Sequence, residues 1–433
     1  MSVTGLSPRR TRGRLWHNLD FLKLWAGQST SQVGSRLTEL ALPLTGILML
    51  GATPGQLGIL TAAEYVPVLF VTMLAGVWAD RHRRRPILLA TNVGRAAILG
   101  VVPLLAVLGG LSMTVLYGVA LSAGILTALF DVTYISYLPS LVEREDLVEG
   151  NSKLQSSQSL AQVAGQGAAG VLVQLVTAPG AILFDAISYV VAAVSIVSIR
   201  TPEPTPVRDT DRRSIRCDMA EGLRFALASR VLRPLMLQSA MFNLVNAVIL
   251  VVLPVYALRT LHFQPATLGL VIACGSAGAL AGAMGAARVG RRLGAGGAMA
   301  LGMGAAAAGF LLLPAAAGSR AAVITLLIAA FCLYGAGLAL FNVHSLSTRQ
   351  RVVPTNMLGR VTASYRMLSY ATIPLGGLLG GQAAGELGIR TTLMMAAIAL
   401  TASAVLFARS GVARVHLECE RAPLFPAKAR AAV

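Results

Sequence analysis

Long apolar stretches alternate with short polar segments along the whole chain. A helix rises about 1.5 Å per residue, so about 20 apolar residues are needed to cross about 30 Å of hydrocarbon. Lipid offers no hydrogen-bonding partner to an open backbone, which favours helices for these stretches. Twelve stretches are long enough, and we predict spans at 20–48, 56–78, 87–109, 113–139, 156–176, 179–199, 234–258, 266–287, 296–316, 321–347, 361–384 and 389–409. The pattern therefore predicts an all-α membrane protein.

The composition agrees with this pattern. Of the 433 residues, 55% are hydrophobic and 12% are charged, and the mean hydropathy is +0.70. Soluble globular proteins carry about twice that share of charged residues. The first apolar stretch is too long for a cleavable signal peptide, so we expect it to be the first span.

A polar, proline-rich stretch divides the twelve spans into six and six. It reads TPEPTPVRDTDRRSIR from Thr201 and is typical of an exposed linker. The segment 218–232 that follows has its large apolar residues on one face, which predicts a helix lying along the membrane surface. The predicted units are a tail at 1–19, a six-helix bundle at 20–199, a linker with a surface helix at 200–233, a second six-helix bundle at 234–409 and a tail at 410–433.

The two halves resemble each other. LAGVWADRHRRR from Leu74 aligns with LAGAMGAARVGRR from Leu280, and LVEGNSKL from Leu147 aligns with LGRVTASY from Leu358. Each similarity follows or opens the equivalent helix of a six-helix half, which indicates an internal duplication. Repeated six-helix halves are characteristic of the major facilitator architecture.

Positively charged residues gather in alternate connecting segments. They precede the first span, follow the second, sixth, eighth and tenth spans and occupy the last tail, whereas the other loops hold chiefly Arg259, Arg320 and Arg390. Cytoplasmic loops carry the excess of Lys and Arg, so we expect both termini in the cytoplasm. The net charge of +18 then serves topology and anionic lipid headgroups, which argues against a nucleic-acid partner.

The segment AGVWADRHRRRPIL, from Ala75, places one acid among cations between the second and third spans. It resembles the G-x-x-x-D-R-x-G-R-R signature of the major facilitator superfamily, except that an arginine replaces the second glycine. The matching residues are Gly76, Asp80, Arg81, Arg84 and Arg85. The resemblance implies a cytoplasmic gate, in which the glycine lets helix two approach helix eleven and the acid accepts hydrogen bonds at a helix N-terminus. The alternative is that the cations only set the topology.

Two further segments narrow the resemblance. FDVTYISYLPSLVEREDLVEGNSKLQSSQS from Phe130 and VVPTNMLGRVTASYRML from Val352 are similar to a bacterial subgroup that includes macrolide efflux proteins and the enterobactin exporter. The resemblance implies a transporter of the bacterial inner membrane that exports a drug, an antibiotic or a siderophore-like molecule by alternating access. Helix five has Gly165 followed by Gln166 instead of the Gly-Pro pair of many drug antiporters, and helix four carries no arginine. Proton antiport therefore does not follow from the resemblance alone.

Six charged residues lie well inside the predicted spans of the first half. They are Arg36, Glu39, Glu64, Arg95, Asp131 and Asp185. Each costs at least about 2.5 kcal/mol at mid-membrane, so each calls for a partner or a function. The acids are the candidates for proton coupling, with Glu39 first and Glu64 second. The alternatives are that Arg36 only neutralises Glu39 at i,i+3 and that Glu64 lies in the headgroup zone.

Two of these charges match in depth. Arg95 and Asp131 lie at similar distances from the cytoplasmic ends of helices three and four, which predicts a buried pair that is either structural or functional.

Neutral polar residues form stripes on other helices. Gln28 and Gln32 share the charged face of helix one, and Gln158 and Gln162 share a face of helix five. Asn243 and Asn246 lie on helix seven, and Tyr365 lies on helix eleven. These residues are candidates to line a substrate cavity, although amides also bond helices to one another.

Other chemistry is poorly supported. The chain has five scattered histidines and no G-x-x-x-x-G-K-[ST] segment, so we expect no enzyme activity, no metal site, no cofactor and no ATP-driven transport. The expected partners are a small-molecule substrate, protons and membrane lipids, and we expect a monomer. Proton-coupled or facilitated uptake of a nutrient, or a sensor without transport, remain alternative functions.

Overall fold

The computed structural model describes residues 14–143, 146–203, 215–354 and 357–414. The description excludes the side chains of residues 14, 73–81, 148, 215–219, 413 and 414. The described chain is helical apart from short turns, which confirms the all-α fold. Its helices are α1 Leu19–Met49, α2 Pro54–Arg81, α3 Arg84–Leu108, α4 Met113–Tyr137, α5 Leu147–Val176, α6 Ala178–Val197, α7 Ile215–Ala228, α8 Leu232–Val255, α9 Pro265–Leu312, α10 Arg320–Val352, α11 Leu358–Glu386 and α12 Ile389–Arg409.

The long helix α9 consists of two arms that meet at Gly294. This glycine has φ 73° and ψ 168°, so the helical conformation is interrupted at this one residue. The two arms correspond to two separately predicted spans, 266–287 and 296–316. By contrast, α7 has 14 residues and is about 21 Å long, too short to cross a bilayer.

Within the described residues, nine helices are long and apolar enough to cross a membrane by length and composition. Neither α1 nor α11 is among them. Helix α9 counts once although each of its arms is a predicted span. With α1, α11 and the second arm of α9, the described chain has the twelve segments of a major facilitator fold.

Local sequence signals set the helix starts. The Thr53 hydroxyl and the Gln56 side chain form a capping box at the start of α2. The Asn18 side chain accepts the Phe21 N–H at 3.0 Å and so caps α1. Ser112 and Ser319 cap α4 and α10 in the same way. In each of these four helices, a polar side chain thus supplies a bond that the helix start lacks.

Helices pack into two groups with contacts between them. In the first half, α1 packs on α5 and α6, α3 packs on α4 and α6, and α2 packs on α4. In the second half, α8 packs on α11 and α12, and α9 packs on α10 and α12. The main contacts between the halves join α2 to α11 and α5 to α9. We call the side on which α1 begins and α12 ends the terminal face, and the other side the opposite face.

Candidate functional site

The halves approach each other closely near the opposite face. There the first turns of α2 pack on the last turns of α11. A Cβ on Gly58 would lie 2.5 Å from the carbonyl oxygen of Gly377, and one on Gly381 would lie 2.5 Å from that of Pro54. Only the missing side chains let these two backbones come so close.

The end of α5 meets the start of α9 in a similar way. A Cβ on Gly170 would lie 2.5 Å from the carbonyl oxygen of Pro265. Beside this contact, Gln174 Nε2 donates to Gln264 Oε1 at 3.2 Å, and Gln174 Oε1 accepts the Ala266 N–H at 3.3 Å. Close backbones and paired amides therefore join the halves at the same level.

A third link joins two loops of the opposite face. Arg259 Nη2, just after α8, donates to the carbonyl oxygen of Ala52 between α1 and α2 at 2.9 Å. Together these contacts close the opposite face.

Toward the terminal face, polar side chains remain exposed between the halves. Gln162 lies one turn before Gln166, which accepts a hydrogen bond from Ser276 of α9 at 3.3 Å, yet Gln162 itself is exposed. Asp131 on α4 and Arg366 on α11 are also exposed. The space between the halves, which we call the central space, is therefore open toward the terminal face.

Arg36 and Glu39 form an ion pair on α1. Arg36 Nη1 donates to Glu39 Oε2 at 2.7 Å, one helical turn along the chain. Gly165 of α5 makes room for this arginine, because a Cβ there would lie 2.7 Å from the Arg36 Cβ. The two side chains are 28% and 36% exposed, so the pair is not sealed in the apolar core.

Glu64 lies near this pair on α2. The Glu39 carboxylate acts electrostatically on both Glu64 and Tyr65. Among the described residues, Glu64 has no hydrogen-bonding or ionic partner for its side chain. Gly124 of α4 packs directly on the Glu64 carbonyl oxygen. One paired and one unpaired carboxylate thus share the site.

The second half completes this site with a tyrosine and an amide. The Tyr334 hydroxyl on α10 donates to Asn246 Oδ1 on α8 at 3.0 Å, and its ring stacks on Phe310 with centroids 4.9 Å apart. Glu39 acts electrostatically on this tyrosine. We call Arg36, Glu39, Glu64, Tyr65, Asn246 and Tyr334 the central cluster. It draws on both halves, as a site for alternating access requires.

Asp185 lies at the level of Glu39 but inside the first half. Thr38 Oγ1 donates to its Oδ2 at 2.5 Å, and Ser188 Oγ donates to its Oδ1 at 3.1 Å. Its exposure is 1%, and Gly34 of α1 leaves room for it. The structure therefore bonds Asp185 between α1 and α6 and does not bring it into the central space.

Arg95 does not form the direct ion pair with Asp131 that the matched depths predict. Its guanidinium lies between the rings of Phe130 and Tyr189, 4.2 Å from each centroid, and Nη2 donates to Asn92 Oδ1 at 2.8 Å. Two aromatic faces and an amide satisfy this buried cation. Phe130 turns toward Arg95, so its neighbour Asp131 points about 100° away around the helix, where it is exposed.

The predicted cavity residues fall into different places. Gln158 and Gln162 are exposed, whereas Gln28 and Gln32 are half-buried. Two of the others bond within the second half. Asn243 Nδ2 donates to the Ser369 carbonyl oxygen at 3.1 Å. Tyr365 is 8% exposed and bonds Ser239, so the structure places it in the second half's interior and not in the central space.

The sequence model of the transmembrane secretion effector family, within the major facilitator superfamily, matches residues 16–429. The chain belongs to this family. The match spans nearly the whole chain and both halves, in agreement with the twelve segments.

Two relatives agree with this assignment, and one solved structure agrees with the fold. The multidrug efflux pump Tap of Mycobacterium tuberculosis is 30% identical over 380 residues, 84% of this chain and 87% of Tap. Macrolide efflux protein A of Streptococcus pyogenes is 25% identical over 272 residues, which are 61% of this chain and 65% of that protein. A bacterial homologue of the iron transporter ferroportin, in its inward-facing state, matches with TM-score 0.70 at 18% identity, over 90% of this chain and 98% of that one. The chain is thus a multi-pass membrane transporter and not an enzyme, and the predicted subgroup is confirmed.

The superfamily signature lies at the terminal face. Gly76, Asp80 and Arg81 belong to the last turns of α2, and their side chains lie outside the described residues. Arg84 and Arg85 open α3, and their backbone N–H groups donate to the two carboxylate oxygens of Glu203 at 2.6 and 3.1 Å. An acid from the segment after α6 therefore caps α3, at the positive end of the helix dipole.

That segment is itself tied to α1. Asp20 Oδ2 accepts the N–H groups of Arg200 and Thr201 at 3.0 and 2.8 Å. Arg85 Nη2 donates to the Val197 carbonyl oxygen at 2.8 Å. The described part of the signature thus bonds the first half to itself.

The sequence reasoning missed several residues of the transporter's site. Tyr65 and Tyr334 belong to apolar helix faces and carry no motif, whereas Arg366 gave a signal, because it is a charged residue inside the predicted span 361–384. Glu203 could have been identified from the sequence, because it is an acid in a basic segment close to a helix start. In the sequence, the close glycine contacts are visible only as regularly spaced small residues, and such spacing is common throughout this chain.

Proposed function

We propose that this transporter exports a small, moderately apolar organic molecule and that protons entering the cell drive the export. The central cluster carries the proposal. It sets a paired and an unpaired carboxylate between two halves that are closed at one face and open at the other. Membrane transporters move protons with acids in such positions.

The proposed cycle uses the ion pair of α1. A proton on Glu39 releases Arg36, which is then available to water or substrate, and loss of the proton restores the pair. Glu39 is the first candidate for coupling and Glu64 is the second, with Asp131 and Asp185 behind them. The signature residues, Asp80 above all, remain proposed members of a gate at the terminal face.

The substrate class rests on the relatives and on the lining. Both curated relatives are named as efflux proteins, one for multiple drugs and one for macrolides. Amides and tyrosine rings in the central space suit an organic molecule with apolar surface and a few polar groups. A drug, an antibiotic or a siderophore-like compound fits this lining, with Gln28, Gln32, Gln158, Gln162, Asn243 and Asn246 as the proposed amide contacts.

The proposed orientation places the terminal face in the bacterial cytoplasm. The cations of the loops favour this side, and the central space then opens to the side from which export begins. We propose a monomer in the inner membrane, since one chain supplies both halves of the site.

The test is efflux from cells that express the chain. Cells lacking their main drug pumps are loaded with a fluorescent lipophilic dye and with macrolides, and efflux is followed with and without a protonophore. We expect energised efflux that the protonophore abolishes and that Glu39→Gln impairs, whereas the matched variant Glu386→Gln, at an exposed acid near the end of α11, has no effect. Efflux that persists with the protonophore would refute proton coupling. Accumulation in place of efflux would favour uptake, and no movement of any compound would favour a sensor.

A further inference from the structure

Two opposite charges face the central space from different halves. Asp131 on α4 and Arg366 on α11 are both exposed, and neither has an ionic partner within 4 Å among the described residues. The Arg366 guanidinium lies 5.6 Å from the ring centroid of Tyr370. Arg366 and Arg95 are the two cations that act electrostatically on Asp131.

Helix geometry turns both charges toward α2. Asp131 lies two turns after Gly124 on the same face of α4, and Gly124 packs on α2 at Glu64. Arg366 lies three turns before Gly377 on the same face of α11, and Gly377 packs on α2 at Thr61. The two charged helices therefore flank α2 with these residues on their inner faces.

The two charges also share a level. Asp131 lies six positions before the end of α4 at Tyr137, and Arg366 lies eight positions after the start of α11 at Leu358. These separations correspond to about 9 and 12 Å from the terminal ends of the two helices.

We propose that Asp131 and Arg366 form the ion pair that closes the terminal face when the opposite face opens. The proposal rests on the alternating access proposed above and assigns Asp131 to closure. When the halves rock, the terminal ends of α4 and α11 approach each other and water leaves the space between them. Attraction between opposite charges strengthens as the local dielectric falls. Arg95 does not compete, because Phe130, Tyr189 and Asn92 already hold it.

Distances between spin labels test this closure. In full-length protein with its four cysteines replaced by serine, labels are attached at Ile135→Cys on α4 and Ala363→Cys on α11, both exposed. The distance distribution is measured by double electron–electron resonance in lipid nanodiscs. We expect a long and a short population in this parent protein.

Single variants should lose the short population. We expect Asp131→Asn and Arg366→Gln each to lower it by on the order of fivefold or more, and the reversed pair, Asp131→Arg with Arg366→Asp, to restore it. Arg390→Gln is the matched control, because Arg390 donates to Ala316 within the second half near the opposite face. Its short population should match the parent's.

Three results would overturn the pair. They are a parent without a short population, a short population that persists in both single variants, and a loss that the reversed pair does not restore. The distances are read without substrate and without a proton gradient. A chain that closes normally but moves no solute in the efflux assay would therefore refute the proposed function and leave this ion pair standing.

Discussion

The proposed proton coupling gives the Glu39 carboxylate two uses that exclude each other. Bound to Arg36 at 2.7 Å, it neutralises a charge that would otherwise be costly inside the membrane. Protonated, it leaves the guanidinium to another partner. Because both side chains are partly exposed and Glu64 lies nearby, the pair is suited to open and close during a cycle.

We expect Glu39→Gln to abolish proton-driven accumulation while downhill exchange of bound substrate continues. Exchange needs no net proton movement, and glutamine keeps the size and one hydrogen-bonding oxygen of glutamate. Both activities are measured in proteoliposomes, with Glu64→Gln in parallel. Loss of both activities in Glu39→Gln would indicate a structural ion pair, and an unchanged pH dependence of uphill transport would move the coupling role to Glu64.

Individual charges could be predicted because an ionisable residue stands out in an apolar helix, but their partners could not. Periodicity assigns a residue to a helix face, and several neighbours compete for that face. Arg95 is held by Phe130 and Tyr189 where an acid was expected, and Asp185 is bonded by Thr38 and Ser188. Such choices depend on how helices far apart in sequence pack together.

Helices were predicted well where apolar length decides their extent. Helix α1 was expected at 20–48 and spans Leu19–Met49. Helix α5 begins at Leu147, nine residues before its predicted start at 156, because its polar first turns extend beyond the apolar stretch. The two arms of α9 were predicted as separate spans, but they follow each other directly in the structure, because one glycine with positive φ turns the chain without a loop.

At the level of elements, the close contact of α2 with α11 should depend on the absence of side chains. We expect Gly58→Ala to disfavour closure of the opposite face, because its Cβ would meet the Gly377 carbonyl oxygen. Overpacking of about 1.4 kcal/mol corresponds to about a tenfold shift in the equilibrium between the closed and open opposite face. The measurement is the rate at which a membrane-impermeant thiol reagent, added on the opposite-face side, labels Tyr370→Cys in a cysteine-free chain.

Gly285→Ala is the matched control for this variant, since a Cβ at Gly285 meets nothing within 4 Å. Its labelling rate should equal the parent's. A Gly58→Ala rate no higher than that of the control would show that the close contact does not limit opening.

The cap on α3 should contribute to stability. Glu203→Gln keeps the shape but removes the charge at the helix N-terminus, a change of about 0.3 to 1 kcal/mol. We expect Tm to fall by about 1 to 3 °C in a detergent melt, whereas Glu386→Gln leaves Tm unchanged. Equal Tm values for Glu203→Gln and the parent would contradict a capping role.

For the whole molecule, the distribution of cations predicts the orientation. We expect a reporter enzyme that is active only outside the cytoplasm to be silent when fused after residue 206 and active when fused in the loop around Gly318. The first site lies in the basic linker and the second in a sparsely charged loop of the opposite face. The reverse pattern of activity would place the terminal face outside.

The central claim is that proton entry drives the export of an organic solute. During export the molecule alternates between two states, each closed at one face and open at the other. The most direct measurement uses purified protein in liposomes, with an imposed pH gradient as the sole energy source and a labelled macrolide or lipophilic dye as solute. The account predicts uphill movement of solute coupled to proton movement in the opposite direction, both absent in protein-free liposomes. Solute movement that stops at equal concentrations and is indifferent to the pH gradient would contradict it.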